Sequence, residues 1–435
     1  MIAIQDSKLA KFGGSSIATA EDVDNLQRII ADDDSRRFIV LSAPGRRHPG
    51  DVKVTDMLIG YSRNQVNVGD IVDRFEDMYP DCGDTVERLL TEVHDLDLPE
   101  DAYRDAHAAL GEQFNAMLFA ERHGYSFANP INFLTLGGSF GDARILPESR
   151  EAIRELFDDR DGVSVIPGFY GYMKSVNDEG RRVATLSRGG SDTTGSYVAA
   201  SLGVAEYENF TDSPVLAAHP DMIENPAPVV VMTYEEMRDL SVGGFNILHP
   251  EAIIPVQEAR VPLHIRSTGD YPNPGTRVLS HRIYDPENPI AGVAYTGGAI
   301  SMSVSKPGLD NTVGLIADIA GLFRDQGIGL TGVTQGVDDV SFNFRANGLN
   351  GEIDQLHLLS KAAYDVLGGN GTDVSLRQNL GDLVVAGIGI RNDPHVATKI
   401  ETELQNSGVE IVHQSMGALK RSVVFGVPDY QAQLA

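Results

Sequence analysis

The sequence holds a single cysteine, Cys82, in 435 residues. One thiol excludes an intramolecular disulfide framework and any multi-cysteine zinc or iron–sulfur site. It fits a reducing compartment, and a cytoplasmic location is expected. No apolar run approaches the roughly 18 residues a membrane helix needs. Met1-Ile2-Ala3-Ile4-Gln5-Asp6 lacks a basic region followed by an apolar core, so no signal peptide is expected. Basic residues are scarce: 35 Lys and Arg stand against 62 Asp and Glu, a net charge of −27. That field repels nucleic acid and anionic membranes, and no basic stripe offsets it, so neither is expected as a partner. Salt screens the field beyond about 8 Å, so an anionic substrate can still bind in a local cradle of donors. The histidines, among them His48, His94, His107, His123, His219 and His249, show no His-Glu-x-x-His pattern and no clustering. No metal site is assigned to side chains.

What is present is ordinary globular composition, 42% hydrophobic and 22% charged, with 45 glycines for backbone-tight loops. The length suggests two to four domains at roughly 100–200 residues each. Over the first 290 or so residues, short apolar runs alternate with amphipathic stretches. Phe38-Ile39-Val40-Leu41, Val163-Ser164-Val165-Ile166 and Val229-Val230-Val231 read as strands buried on both faces. Val261-Pro262-Leu263-His264-Ile265 reads as an edge or irregular strand because of its proline. Val23, Leu26, Ile29 and Ile30 fall on one helical face after Thr19. Thr233 with Glu236 reads as a capping box. Strands separated by helices imply a mostly parallel sheet covered on both sides.

Pro/Gly/Asn clusters at Tyr271–Gly275 and Asp285–Pro289 read as a boundary region. Beyond them a strand–helix–strand–strand pattern occurs twice. In the first copy, Asp310-Asn311-Thr312 can cap a helix bearing Val313, Ile316, Ala320 and Phe323. The second copy has Leu383–Ala386, a helix with Val396, Ile400 and Leu404, then Val409–Val412 and Ser422–Phe425. The tail is therefore read as two related α+β units.

Several polar loops stand at strand-to-helix transitions. Lys11-Phe12-Gly13-Gly14-Ser15-Ser16 joins glycines, which admit a close ligand, to a lysine that can neutralise phosphate oxygens. An ordinary turn with a solvated lysine carries equal weight for this segment alone. Ser187-Arg188-Gly189-Gly190-Ser191-Asp192 adds an arginine able to grip a carboxylate, though Ser191 or Asp192 can also simply cap a helix. Thr211-Asp212 and Ser42-Ala43-Pro44-Gly45-Arg46-Arg47 are further loops of this kind. In open parallel sheets such loops converge beyond the strand C-terminal ends. Gly111-Glu112 opens a helical stretch and by itself reads as dipole compensation.

Taken together and in order, these motifs resemble aspartate kinase, of the amino-acid kinase fold with tandem C-terminal ACT domains. The resemblance rests on Lys11–Ser16, on Lys53-Val54-Thr55-Asp56 after Ser42–Gly45, and on Gly111-Glu112 with Asn115-Ala116. It rests also on Ile166–Gly171, Ser187–Asp192, Thr211-Asp212, Leu248-His249 and Gln335-Gly336. The resemblance implies a three-layer parallel-sheet catalytic domain over residues 1–290. Two ferredoxin-like ACT units would follow, 298–375 and 380–435, with the chain end completing the first. It implies ATP-dependent phosphorylation of the β-carboxylate of L-aspartate with Mg²⁺. Lys11 would neutralise the transferring phosphoryl group, helped by Gly13, Gly14 and Ser16. Arg188 and Ser191 would hold the α-carboxylate and Glu112 the ammonium. Asp192 would assist the ammonium or the Mg²⁺ surroundings. Ser42 and Thr55 would orient the reacting carboxylate, and Thr211 and Asp212 would face the nucleotide. Gln335 and Asp338 would contact an amino-acid effector such as lysine or threonine, with homodimer or higher pairing through the ACT units.

Two departures stand out. His219-Pro220-Asp221 replaces the family's common Asp-Pro-Arg, and Asn246 precedes Ile247-Leu248-His249-Pro250 where a lysine is frequent. Two alternatives follow. One is a kinase for a related amino acid such as glutamate. The other is a catalytically weak paralogue that senses amino acids.

Overall fold

Thr19 ends one loop and starts the first helix. Its hydroxyl accepts the N–H of Asp22, and the Asp22 carboxylate accepts the N–H of Thr19, a reciprocal cap. The helix, α1 (Ala20–Ala31), buries Val23, Leu26, Ile29 and Ile30, the face its spacing picks out. The computed structural model describes residues 2–174, 182–187, 189–245, 248–346, 352–368 and 371–435. Two compact units result: 1–215 with 228–234 and 246–282, and 216–227 with 235–245 and 283–435. Arg188 and Asn246 lie outside the described residues.

In the first unit, β1 (Lys8–Phe12), β2 (Arg36–Leu41), β3 (Ser126–Phe127), β6 (Ser164–Pro167) and β9 (Glu206–Thr211) lie in an eight-stranded sheet. It also holds β10 (Val231–Thr233), β11 (Leu263–Ser267) and β12 (Thr276–Leu279), in the order β10-β12-β11-β9-β1-β2-β6-β3. The run from β11 to β3 is parallel. The other first-unit strands, β4 (Thr135–Ser139), β5 (Asp142–Ile145), β7 (Tyr170–Met173) and β8 (Arg182–Thr185), form a separate sheet. One main-sheet face packs on α1 and on α2 (Val54–Ser62), α3 (Val68–Glu76), α4 (Gly83–His94) and α5 (Glu100–His123). Three further helices are α6 (Ser149–Asp158), α7 (Gly190–Leu202) and α9 (Pro250–Ala259); α8 (Tyr234–Val242) belongs, from Glu235 on, to the second unit. Phe12 and Phe210 stack across β1 and β9 with centroids 4.6 Å apart, both fully buried. Truncating either costs roughly 3–5 kcal/mol.

Three strand expectations need correction, one of them in the second unit, where the strand lies at His413–Ser415 and not at Val409–Val412. β11 is interior, between β12 and β9, because Pro262 precedes the ladder and its missing N–H costs no strand bond. The segment at Val229–Val231 is not buried on both faces; the strand starts at Val231, and Val230 is 69% exposed.

Glu208 is buried at the middle of β9, where no local motif in the sequence marks it. Arg36 Nε and Nη2 reach its two oxygens at 2.6 and 3.0 Å, and Arg266 Nη1 adds a bond of 2.9 Å. Nearby Glu206 meets Lys8 at 3.6 Å and His264 at 3.5 Å. Glu206, Glu208 and His264 are close enough to share an ion. Their cationic partners already neutralise them, so the cluster is a buried ion-pair network.

The second unit holds a six-stranded sheet. It contains β13 (Gly292–Ser305), β14 (Leu330–Gln335), β15 (Asp339–Arg345), β16 (Asp373–Ala386), β17 (His413–Ser415) and β18 (Ser422–Pro428). Their order is β14-β15-β13-β16-β18-β17. The long strands β13 and β16 pair along their length, with a bulge at Thr296–Ser301 that divides the sheet in two. On one side, Ala299–Ser305 joins β14, β15 and the start of β16 under α10 (Leu315–Asp325) and α11 (Glu352–Val366). On the other, Gly292–Thr296 joins the end of β16, β18 and β17 under α12 (Gly389–Asn392) and α13 (Pro394–Asn406). Each half is a ferredoxin-like module. The module at 299–377 is closed by the start of β16 and not by the chain end; the chain end completes the module that Gly292–Thr296 opens, within which the other is inserted. β18 pairs with residues 380–386 of β16, and Gln431 accepts the N–H of Glu410. The first module is continuous, because β16 is long enough to close it before entering the second.

The helix of the first module is also rotated from its expected phase. Gly308 and Gly314 adopt left-handed conformations and insert a 3-10 turn, so α10 starts at Leu315. Leu315, Ile319 and Phe323 are buried, whereas Val313 is 98% exposed.

Candidate active site

The parallel strands end on one edge of the main sheet, and the polar loops of the sequence gather there. Lys11, next to last in β1, lies between Val40 of β2 and Asn209 of β9. It is buried, and its Nζ stands 2.5 Å from Asp192 Oδ1 in the first turn of α7. Asn209 Nδ2 donates to the same oxygen at 2.8 Å. Asn209, unforeseen from sequence, thus orients the carboxylate that holds the lysine.

The glycines follow at once. Gly13 N–H donates to Phe210 O at 3.2 Å, and Gly14 O accepts the N–H of Gly45 at 2.8 Å. A Cβ on Gly14 would stand 2.7 Å from Ala43 O, so the close approach of the two loops requires glycine here. Ser16 Oγ accepts from Thr268 Oγ1 at 3.1 Å, and Thr268 N–H donates to Thr211 O at 2.9 Å. Thr211 Oγ1 meets the exposed Asp212 carboxylate at 3.2 Å. Lys11, Gly13, Gly14, Ser16, Asp192 and Thr211 are therefore brought together, with Asp212 at the margin.

On the other flank, α5 carries the Gly-Glu pair in its interior, well past its start at Glu100, so the pair does not open the helix and Glu112 does not serve as dipole compensation. Gly111 packs so close to Ala43 that a Cβ would lie 2.8 Å from its methyl. Glu112 is buried, and the N–H of Ala43 donates to its carboxylate. Its Oε2 has no hydrogen-bond partner among the described residues. Burial outweighs the Ala43 bond and pushes the carboxyl up to about 8. One turn on, Asn115 accepts from Tyr79 Oη at 2.6 Å and donates to Ser42 O at 2.7 Å. Ser42 N–H in turn donates to Phe12 O at 3.2 Å. Pro44 O accepts the N–H of Val54 at 3.3 Å, which ties the first turn of α2, with Thr55, to this loop.

Ser191 packs against the turn after β6, where a Cβ on Gly168 would lie 2.6 Å from its side chain. Gly189, in a left-handed conformation, starts α7. Arg188, assigned to the substrate carboxylate, lies outside the described residues.

In the second unit, Gln335 lines a cavity of about 440 Å³ with Asp310, Thr312, Gly314 and Ile316 at the start of α10. Asp338 is not in that lining. Its Oδ1 accepts the N–H of Gly308 at 2.7 Å, which clamps the turn after β13. Asp221 is exposed, and its N–H donates to His219 Nδ1 at 3.2 Å.

A model of the amino acid kinase family matches residues 7–267. Aspartokinase 3 of Bacillus subtilis is 30% identical, spanning 98% of this chain and 96% of that protein. Aspartokinase of Corynebacterium glutamicum is 27% identical, over 97% of this chain and 93% of its own. The chain belongs to the amino acid kinase family and, within it, to the aspartokinases. Among solved structures, aspartate kinase of Clostridium acetobutylicum superposes with a TM-score of 0.80 at 28% identity, covering 98% of this chain and 97% of that one. Aspartokinase III of E. coli, solved with aspartate and ADP, shares the fold with a TM-score of 0.77 at 20% identity, at 98% and 97% coverage. Among the described residues no helix is long and apolar enough to cross a membrane.

Proposed function

We propose that this chain transfers the γ-phosphoryl group of ATP to the β-carboxylate of L-aspartate. The product is β-aspartyl phosphate, the first step toward lysine, threonine and methionine. One observation carries the reading. The buried Lys11–Asp192 pair beside the Gly13-Gly14 loop shares a sheet edge with Glu112, whose buried oxygen lacks a donor. A cation-bearing ligand such as an α-ammonium group supplies that donor.

Phosphoryl transfer needs alignment and charge neutralisation more than covalent help. A carboxylate is already a nucleophile at neutral pH, so no general base is required and none of the histidines is recruited. Lys11 Nζ meets the charge that develops on the transferring group, while Asp192 and Asn209 hold the ammonium in place. The N–H groups around Gly13 and Gly14, with Ser16, Thr211 and Asp212, receive the nucleotide. Arg188 and Ser191 hold the α-carboxylate of aspartate, Glu112 its ammonium, and Ser42 and Thr55 the reacting end. Mg²⁺ suits this oxygen-rich edge, with Asp192 the carboxylate at hand, and it would neutralise nucleotide phosphates.

The cavity beside Gln335 is the place for an amino-acid effector, lysine or threonine, and the ACT modules are the surface for pairing as a homodimer or higher oligomer. Such a ligand acts only through unequal affinity for two arrangements. A coupled assay of ADP release with and without L-aspartate tests the reading. It is repeated with glutamate and acetylglutamate as acceptors, and with lysine or threonine added. ADP release that does not depend on aspartate sinks it. Asp221 in place of a family arginine favours the sensor alternative. Calorimetric titration showing no binding of millimolar Mg-ATP, while aspartate or lysine still binds, would select it.

A further inference from the structure

Asp105 lies on α5 seven residues before Glu112, about 10.5 Å along the helix axis. It is 1% exposed. Its Oδ2 accepts two main-chain donors, the N–H of Gly141 at 2.7 Å and the N–H of Thr185 at 2.8 Å. Its Oδ1 faces Arg104 Nη2 at 3.4 Å. Gly141, with φ +78, forms the turn between β4 and β5. Thr185 is the last residue of β8, and the next residue, Leu186, donates its N–H to Phe169 O at 2.8 Å. Four residues after Thr185, Gly189 starts α7. The segment between these anchors carries Arg188.

A buried carboxylate that accepts two N–H donors makes strong, charge-assisted bonds and tolerates little displacement. The same rigid helix thus holds Glu112 at one point and the end of β8 at another. We propose that Asp105 is a positioning residue that fixes the spacing between the group reading the ammonium of aspartate and the loop reading its α-carboxylate. This rests on the reading in which Arg188 takes that carboxylate. Asp105 touches no reacting atom; it acts through the main chain at Thr185.

The test is Asp105→Ala, which removes the oxygen that both N–H donors share. Steady-state kinetics on the full chain should show KM for aspartate raised about tenfold and KM for ATP changed less than about twofold. β-Alanine, which keeps the ammonium and reacting carboxylate but lacks the α-carboxylate, should inhibit both proteins with equal KI. An unchanged KM for aspartate, or a β-alanine KI that rises in step with it, overturns the proposal. A wild-type enzyme that shows no saturable dependence on aspartate refutes the functional reading instead. Should the variant not fold, amide exchange at Thr185 in the unmodified protein decides. Protection already present without aspartate supports the proposal, and protection that appears only on adding aspartate overturns it.

Discussion

The proposed assignment of Glu112 to the ammonium of aspartate predicts that aspartate binding is a proton-linked event. In the empty site its carboxyl is pushed up to about 8, because burial disfavours the anion more than the Ala43 N–H favours it. At pH 7 only about a tenth of ligand-free molecules then carry the charge that an ammonium group needs. Affinity is reduced by that fraction, so KM for aspartate at pH 7 should be about tenfold above its plateau, and at pH 6 about a hundredfold. Each aspartate bound at pH 7 should release about 0.9 of a proton. The assay is kcat/KM for aspartate from pH 6 to 8.5, with calorimetry in buffers of differing ionisation enthalpy to count the proton. Glu112→Gln should give a flat profile with KM high throughout. A flat wild-type profile, or no proton released, would refute the assignment of Glu112 to the ammonium. Stability supplies an independent check. The folded form keeps this proton to about pH 8, whereas the unfolded chain loses it near the ordinary value of 4.5. Between those values the folded state binds more protons, so stability falls as pH rises, by at most about 5 kcal/mol. Glu112→Gln should remove that fall in pH-dependent melts.

On the proposed role of Lys11, Lys11→Ala should lower kcat roughly 10²–10³-fold while moving KM for aspartate little, since that role puts its charge where phosphoryl charge develops. Arg188→Ala should do the reverse, raising KM for aspartate by about tenfold or more with kcat largely kept; an exchanged pattern would mean the two roles are swapped. Gly14→Ala places a Cβ 2.7 Å from Ala43 O. It should lower the melting temperature, with about 1–3 kcal/mol of destabilisation, and raise KM for ATP.

The site was legible to different degrees for definite physical reasons. Lys11, the glycines and Asp192 were readable because loops at strand-to-helix transitions combine glycine with charge, and such loops meet at one edge of a parallel sheet. Glu112 had no local signal beyond a helical stretch. Its importance lies in being buried beside Ala43, which depends on Gly111 allowing α5 to approach. Asn209 and Asn115 were invisible as functional residues. Each lies within a regular element and acts across the fold on a partner far away in sequence, Asp192 and Ser42 respectively. Periodicity reports which face is buried and says nothing of which polar groups meet there.

The regulatory modules show the same limit from another side. Two strand–helix–strand–strand copies were readable from alternation and apolar spacing. How the copies share strands was not, because β13 and β16 each serve both modules and are divided only by the Thr296–Ser301 bulge. Arg345 donates to the carbonyls of Thr296 and Gly297 at 2.9 and 3.1 Å and to Asp382 at 2.9 Å. It therefore ties β15 of the first module to the part of β16 that belongs to the second. A displacement of the turn at Gly308–Gly314 would reach the second module through strands that are continuous across both, with no separate linker to absorb it. That continuity is a property of register, and register depends on tertiary pairing more than on any local motif.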